Sequence, residues 1–266
     1  MCIALMPWAV SAELESDLAE PMQSSIPPPK LKVSSWLLMD AATGITLAGD
    51  RADTPVEPAS LTKLMTAYIV FREIERGTID KDDTVVVSEK AWRSEGSRMF
   101  IEAGDKVQIE DLLMGLIVQS GNDSAVALAE HVAGSEEGFA DLMNQTAAEL
   151  GMENSHFINS AGMPHPDHYT TARDMTLLTR AITDQQPDHY AMYAIREFTW
   201  NNITQKNRNP LLGRDSSIDG VKTGHTRSAG YCLVGSAERD GMRLIGTVIG
   251  AQSDRERADA VYSLLR

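Results

Sequence analysis

The spacing of apolar residues changes along this chain of 266 residues, and that change constrains the fold more than any other feature. Near both ends, short runs alternate apolar and polar residues, the period of strands that bury one face. Turn sequences separate neighbouring runs, as in Asp40-Ala-Ala-Thr-Gly44 and Arg239-Asp240-Gly241. The predicted strands are residues 35–39, 45–47, 218–223, 231–237 and 242–249.

The middle of the chain has helical spacing instead. The clearest case is residues 60–74, where Leu61, Leu64, Met65 and Tyr68 recur at helical intervals. Pro58 suits the opening turn of this helix, because proline is tolerated where no backbone donor is needed. The same period predicts helices over residues 109–118, 124–132, 139–150, 172–182 and 254–265.

Strands at both ends around a helical middle predict one antiparallel sheet built from both termini. We therefore predict an α/β fold of the α+β type, with helices over the sheet and a helical lobe beside it. A cleft is expected between the lobe and the sheet. The composition, with 42% hydrophobic and 23% charged residues, is ordinary for a globular protein of this size.

The first twelve residues, MCIALMPWAVSA, are apolar and end in small residues, a pattern typical of the tail of a secretory signal peptide. We expect residues 1–12 to be a signal-peptide remnant, residues 13–32 to be an extended segment, and residues 33–266 to form the folded domain. Cleavage after Ala12 would remove Cys2 and leave Cys232, so no internal disulfide is expected. Cys232 lies in an apolar run and is predicted to be a buried structural thiol.

The charge of the chain excludes some partners. With 38 acidic and 24 basic side chains, the formal net charge of -14 would repel nucleic acid. No segment has the roughly 20 apolar residues of a membrane-spanning helix. The six histidines show no recognised ligand spacing, so we predict neither a metal nor a cofactor.

Three short motifs occur in order along the chain. They are Ser60-Leu-Thr-Lys63, Ser120-Gly121-Asn122 and Lys222-Thr223-Gly224. The first two would each be common by chance, and K-T-G would be rare. Their combination and order therefore carry the functional argument.

The first motif places a hydroxyl and an amine three residues apart on one helix, on the same face. Ser60 at the start of that helix is a candidate nucleophile, because the helix dipole favours a developing alkoxide there. Lys63 can act as its base only if its pKa falls well below the ordinary value, which requires burial and a second cation. We predict that Lys222 is this second cation.

The other two motifs are expected to face the first across the cleft. Ser120 would pass a proton to a leaving amine, and Asn122 would bind a backbone amide of the substrate. The competing interpretation is that both residues only cap the next helix. Lys222 and Thr223 would line the cleft edge, with Gly224 admitting the substrate close to the backbone. The backbone amides of Ser60 and His225 are candidate oxyanion-hole donors.

These motifs resemble S-x-x-K, S-D-N and K-T-G of class A β-lactamases and penicillin-binding proteins. Longer stretches resemble the serine DD-carboxypeptidases of the low-molecular-mass penicillin-binding protein 5/6 type. The resemblance implies a β-lactamase/transpeptidase-like fold and removal of the terminal D-alanine from peptidoglycan pentapeptides through an acyl-enzyme. The stretches are PASLTKLMTAYI, SGNDSAVALAEHVAG, HPDHYTTARDM, QKNRNPLL and DGVKTGHT, which span most of residues 33–266.

The resemblance also implies roles for individual residues. Ser60 becomes the acylated nucleophile, Lys63 its base, and Arg257 a clamp for the free carboxylate at the end of the substrate. Arg255 is the alternative if the alignment shifts by two residues. The residues expected to bind substrate are Asn122, Lys222, Thr223, Gly224, His225 and Arg257.

The resemblance implies partners and a location as well. These are a stem peptide ending in D-Ala-D-Ala, β-lactams as covalent inhibitors, and the bacterial periplasm at the outer face of the inner membrane. Members of this family usually continue into a small β-rich domain and an amphipathic membrane anchor, and this sequence ends at Arg266 before either. We therefore expect membrane attachment only through an anchor outside this chain.

Three alternatives remain open from the sequence. A DD-endopeptidase would cut cross-links, and a non-catalytic module would bind peptidoglycan or β-lactams without turnover. A serine β-lactamase would need a further carboxylate to activate the deacylating water. The E-x-x-L-N sequence that carries it in class A enzymes does not occur here, and SGN replaces SDN.

Overall fold

The structure is a computed structural model that describes residues 27–266. The predicted signal-peptide remnant, Cys2 and most of the predicted extended segment lie outside the described residues. Residues 27–32 have no regular secondary structure, as expected for the end of that segment. The start of the domain at residue 33 stays a prediction.

Both termini contribute to one five-stranded antiparallel sheet, with strand order β2-β1-β9-β8-β7. This order confirms the predicted fold class, since β1 pairs directly with β9 from the other end of the chain. The remaining strands form two separate two-stranded sheets, one of β3 and β4 and one of β5 and β6. The strands are β1 (Ser35–Asp40), β2 (Thr46–Asp50), β3 (Thr84–Val86), β4 (Lys106–Gln108), β5 (Glu197–Trp200), β6 (Ile203–Lys206), β7 (Ile218–Thr226), β8 (Gly230–Arg239) and β9 (Met242–Ala251).

The helices occupy the middle of the chain and its end, as the periodicity predicted. Two short helices, α2 (Glu89–Trp92) and α7 (Pro187–Tyr190), have four residues each, and the strands β3 to β6 are also short. Elements of three or four residues show no recognisable period of apolar residues, so the sequence did not predict them. The helices are α1 (Lys63–Glu75), α2 (Glu89–Trp92), α3 (Ile109–Met114), α4 (Asn122–Ala133), α5 (Glu136–Glu149), α6 (Ala172–Gln185), α7 (Pro187–Tyr190) and α8 (Asp254–Leu264).

Two predicted helices are not uniform. The helix predicted from residue 60 opens as a 3-10 turn, Ala59–Thr62, before α1 begins. The helix predicted over residues 109–118 becomes a π-helix, Gly115–Gln119, after α3. A β-carbon at Gly115 would lie 2.4 Å from the sulfur of Met99, so the glycine allows Met99 to pack closely against this segment. The 3-10 turn contains Ser60, and the π-helix ends directly before Ser120. π-Helices are often found at functional sites.

Apolar residues cover both faces of the sheet. One face packs against α6 and the helical lobe and buries Leu37 and Val234. The other face packs against α8 and buries Trp36 and Leu233. Alternate residues of each strand therefore enter two different cores. The strand β7 lies at the edge of the sheet and has contacts with the 3-10 turn that opens α1.

Candidate active site

The first motif forms a serine–lysine pair at the beginning of α1. Lys63 Nζ lies 3.2 Å from Ser60 Oγ, and it also donates to Asn122 Oδ1 at 2.7 Å and to the Ala161 carbonyl at 2.6 Å. Lys63 is only 1% exposed. Three acceptors surround the amine, so its position relative to Ser60 is fixed from the lobe and from a distant loop.

Burial is the main cause that lowers the pKa of Lys63, to about 7. The negative charge of Asp123 opposes this shift, and the positive charge of Arg208 adds to it. Arg208 is therefore one second cation beside Lys63. Burial and then the charge of Lys63 lower the pKa of Lys222. Repulsion between two positive charges is mutual, so Lys222 stays the predicted second cation together with Arg208.

The second motif lies between the π-helix and α4. Ser120 has left-handed backbone angles, with φ 64° and ψ 37°, which turn its side chain towards β7. Ser120 Oγ accepts a hydrogen bond of 2.8 Å from Lys222 Nζ. Asn122 Nδ2 donates to the Glu95 carbonyl at 2.6 Å. The residue before α4 is Gly121, and no side chain caps this helix, so the capping interpretation of Ser120 and Asn122 does not apply.

The third motif lies on β7, as predicted. Lys222 is 2% exposed and points to the lobe, whereas strand alternation turns Thr223 to the opposite face of the sheet. A β-carbon on Gly224 would lie 3.2 Å from the Pro58 carbonyl and 3.3 Å from the Leu61 amide. The absence of a side chain at Gly224 therefore lets β7 pack closely on the turn before α1. That Gly224 also admits the substrate stays a prediction.

The side chain of His225 is exposed and stacks on Tyr231, with the ring centroids 4.1 Å apart. Its backbone follows Gly224 along the edge strand, next to the turn that carries Ser60. Edge strands leave part of their backbone donors free of the sheet. The Ser60 and His225 amides remain the predicted oxyanion-hole donors.

Of the two arginines considered for the carboxylate clamp, only Arg257 contacts the third motif. Arg257 Nη1 donates to the Gly224 carbonyl at 2.9 Å and to the Cys232 carbonyl at 3.1 Å, and Nη2 bonds the Asp254 carboxylate. Its Nε atom is buried without a protein partner. Arg255 has a 91% exposed side chain, 3.6 Å from Asp259. The alternative that assigned the clamp to Arg255 was wrong.

Sequence reasoning missed two charged residues of the site. Arg208 Nε donates to the Gln119 carbonyl at 2.9 Å, beside Ser120. Asp123 is fully buried and accepts hydrogen bonds from the backbone amides of Met99, Phe100 and Ser124 at 2.9–3.0 Å. Their positions gave only weak signals. Arg208 lies in the stretch QKNRNPLL and Asp123 directly follows the second motif, but neither belongs to one of the three motifs.

A loop over residues 159–168 packs against the serine–lysine pair and contacts Lys63 and Thr62. It supplies the Ala161 carbonyl that accepts from Lys63, and it contacts Thr62 through His168. Burial lowers the pKa of His168 to about 4, so its ring is neutral. His168 Nδ1 accepts from the Ile158 amide, which leaves Nε2 to donate to Thr62 Oγ1 at 2.9 Å. The stretch HPDHYTTARDM begins in this loop at His165, but nothing in the sequence indicated its contact with Lys63.

Cys232 takes no part in the chemistry of the pair. It is fully buried, and burial raises the pKa of its thiol to about 11. Among residues 27–266, no group of three or more histidine, cysteine or acidic side chains is placed to hold a metal ion. In the same part of the chain, no helix combines the length and apolar character needed to cross a membrane.

Comparisons with known proteins agree with this geometry. Residues 22–253 match the peptidase S11 family, described as D-alanyl-D-alanine carboxypeptidase. The chain is 42% identical over 255 residues to D-alanyl-D-alanine carboxypeptidase DacD of Escherichia coli; this covers 93% of the chain but 66% of the relative. The chain thus spans less than two thirds of the length of this relative.

Two solved structures show the same fold. Penicillin-binding protein 6B from Escherichia coli superposes with a TM-score of 0.88 at 42% identity, covering 92% of this chain and 80% of that one. Penicillin-binding protein D2 from Listeria monocytogenes, in its ampicillin-bound form, superposes with a TM-score of 0.82 at 27% identity, covering 90% and 98%. By the family match and these similarities, the chain belongs to the peptidase S11 family of D-alanyl-D-alanine carboxypeptidases.

Proposed function

We propose that this chain is a serine-type carboxypeptidase that removes the terminal D-alanine from peptidoglycan stem peptides through an acyl-enzyme on Ser60. The observation that carries the proposal is the contact of 3.2 Å between Ser60 Oγ and the buried Lys63 amine. With a pKa of about 7, a substantial fraction of Lys63, about half, is unprotonated at neutral pH and able to accept a proton. Family membership supports the substrate class.

In the acylation step, Lys63 takes the proton of Ser60 as Ser60 Oγ attacks the carbonyl carbon of the penultimate D-alanine. The carbonyl oxygen gains negative charge, which the Ser60 and His225 amides would stabilise. The carbon–nitrogen bond then breaks, and Ser120 gives its proton to the leaving amine of D-alanine. Lys222, in contact with Ser120 Oγ, replaces that proton.

In the second half of the reaction, water attacks the ester on Ser60. Before this step the proton that Lys63 took from Ser60 returns to Lys222, so that Lys63 is again unprotonated. Lys63 then passes a proton from the water to the Ser60 oxygen, so the serine is regenerated and the shortened peptide leaves with a new carboxylate. Catalysis is complete without any group from outside the chain except water.

Four cations lie close enough together to influence one another, although the chain as a whole is acidic. Lys63 and Arg208 each lower the pKa of Lys222, as does Arg257. Positive charge at this place favours a substrate that carries a free carboxylate. We infer that Arg257, Arg208 and Thr223 receive the C-terminal carboxylate, which would restrict cleavage to the last residue.

The contact between Lys63 and the loop over residues 159–168 favours a carboxypeptidase over a β-lactamase. The group that this loop offers to Lys63 is the Ala161 carbonyl, and a carbonyl cannot act as a general base for water. Acylation by a β-lactam should therefore be followed by slow hydrolysis. The ampicillin-bound form of the similar penicillin-binding protein D2 supports acylation by β-lactams here. The proposed location is the bacterial periplasm.

Release of D-alanine from a soluble pentapeptide ending in D-Ala-D-Ala tests the proposal directly. The chain is expected to release D-alanine, and Ser60→Ala to release none. Ser216→Ala removes an exposed hydroxyl and serves as the matched control with parental activity. Release that persists in Ser60→Ala would contradict the role of Ser60. Activity on cross-linked dimers alone would favour an endopeptidase, and tight binding without turnover a binding module.

A further inference from the structure

The two predicted oxyanion-hole amides belong to segments far apart in the sequence. Ser60 lies on the 3-10 turn before α1, and His225 lies on the edge strand β7. The distance between the two amides therefore depends on how these segments are held together. An oxyanion hole is sensitive to this distance, since its donors must both reach one oxygen.

One acidic side chain directly joins the two segments. Glu57, three residues before Ser60, accepts a hydrogen bond of 2.5 Å from Ser228 Oγ and one of 3.4 Å from Thr226 Oγ1, both at Glu57 Oε2. Thr226 is the residue after His225 and the last of β7. A single carboxylate oxygen thus binds the end of the strand and the turn that follows it.

Both ends of this link are rigid. On one side, Val56 and Thr170 exchange backbone hydrogen bonds of 2.8 and 2.9 Å, which fix the backbone next to Glu57. On the other side, Thr226 Oγ1 accepts from the Ala229 amide at 2.9 Å, which fixes the turn after β7. Little freedom remains in the residues between Glu57 and either amide.

The packing between the two segments is tight where the amides lie. Gly224 faces the Pro58–Leu61 backbone so closely that a β-carbon there would lie 3.2 Å from the Pro58 carbonyl oxygen, and Ala59 has a φ of 48°, unusual for a residue with a side chain. A strained backbone beside a reactive serine persists only where the surroundings hold it. The Glu57 contacts supply such a restraint from the solvent side.

We propose that Glu57 is a positioning residue that holds β7 against the Ser60 turn and so sets the spacing of the Ser60 and His225 amides. Glu57 does not touch the reacting atoms. The inference rests on the proposed function, because it assumes that these two amides bind the oxyanion. Its effect should fall on acylation of Ser60 and leave substrate binding largely unchanged.

The test compares Glu57→Ala, which removes both hydrogen bonds, with Glu57→Gln, which keeps an acceptor oxygen. Glu89→Ala, which removes an exposed carboxylate paired with Arg93, is the matched control. The measured quantities are the rate of Ser60 acylation by a fluorescent penicillin, its concentration dependence, and the melting temperature. We also measure kcat and KM for D-alanine release.

Glu57→Ala is expected to acylate about 10–100-fold more slowly at an unchanged half-saturating penicillin concentration, below the roughly 100–1,000-fold loss for removal of a whole donor. Glu57→Gln should stay within about 3-fold of the parent, since its amide oxygen can accept the same hydrogen bonds. Parental acylation by folded Glu57→Ala would overturn the inference. So would an equal loss in Glu57→Gln, because charge rather than the hydrogen-bonded link would then be responsible.

Ser228→Ala removes the hydrogen bond between Ser228 and Glu57 from the side of the exposed turn. This variant replaces Glu57→Ala in the test if Glu57→Ala does not fold. It should also slow acylation, and the double variant Glu57→Ala/Ser228→Ala should be no slower than Glu57→Ala alone. Additive losses would overturn the inference. If penicillin labels the parent but D-alanine is not released, the proposed function fails while the acylation rates still decide the role of Glu57. A parent that is never acylated overturns both.

Discussion

Lys222 Nζ donates a hydrogen bond of 2.8 Å to Ser120 Oγ and thereby joins the edge strand β7 to the helical lobe. The two residues are 102 positions apart in the sequence. Each belongs to a different short motif, and neither motif alone would indicate a proton path. The contact places the Ser120 hydroxyl on the lobe side of the cleft, within hydrogen-bond distance of the Lys222 amine.

If Ser120 protonates the leaving amine, Ser120→Ala should lower kcat for D-alanine release by about 100-fold or more, the usual contribution of general acid catalysis. The measurement is steady-state release from a D-Ala-D-Ala pentapeptide, with Ser216→Ala as the control. A kcat within a few-fold of the parent would assign the leaving-group proton to another residue.

The lowered pKa of Lys63 predicts a pH dependence for the free enzyme. Because Lys63 must lose its proton to act as a base, kcat/KM should rise with pH along a limb centred near a pKa of about 7. The sign follows from the reaction, since the protonated amine cannot accept the proton of Ser60. A profile that is flat between about pH 6 and pH 8 would contradict this role.

The charge of Arg208 should influence the pH at which kcat/KM rises. Its charge lowers the pKa of Lys63, so Arg208→Gln should move the rise in kcat/KM to higher pH. Lys206→Gln removes an exposed positive charge two residues away and should leave the midpoint in place. A midpoint that does not move in Arg208→Gln would show that burial alone sets the pKa.

The adduct with penicillin should be long-lived. Since the loop below Lys63 provides a carbonyl and no carboxylate contact to it, the deacylating water lacks the additional base of a β-lactamase. Intact-protein mass spectrometry should show a covalent penicilloyl group that persists well beyond the acylation time, and Ser60→Ala should not acquire it. Rapid catalytic loss of the drug would instead support a β-lactamase.

The loop itself offers a prediction about stability. Gly162 has a φ of 84°, and a β-carbon there would lie 1.8 Å from the Ala59 carbonyl oxygen. Gly162→Ala should therefore cost more than about 3 kcal/mol in the free energy of unfolding, from backbone strain and overpacking together. Gly151 has a φ of 71° but open space around it, so Gly151→Ala should cost only about 1 kcal/mol. Urea unfolding of both variants measures the difference, and equal losses would contradict the steric argument.

The strands and long helices could be predicted because their signals are local. The alternation in β8 and β9 and the helical period of α5 and α6 follow from neighbouring residues, and each element was observed within a few residues of its predicted bounds. The π-helix before Ser120 was not predicted, because the period of apolar residues does not distinguish a short π-helix from the α-helix that precedes it.

The same division holds for the site. The sequence by itself determined the fold class, the three motifs and their order, because these follow from the local period of apolar residues and from residue identity. The tertiary structure decided that Arg208 lowers the pKa of Lys63, that Arg257 contacts the third motif, and that Glu57 links the two predicted oxyanion-hole segments. These properties depend on burial and on contacts between residues far apart in the sequence, which form only when the chain is packed.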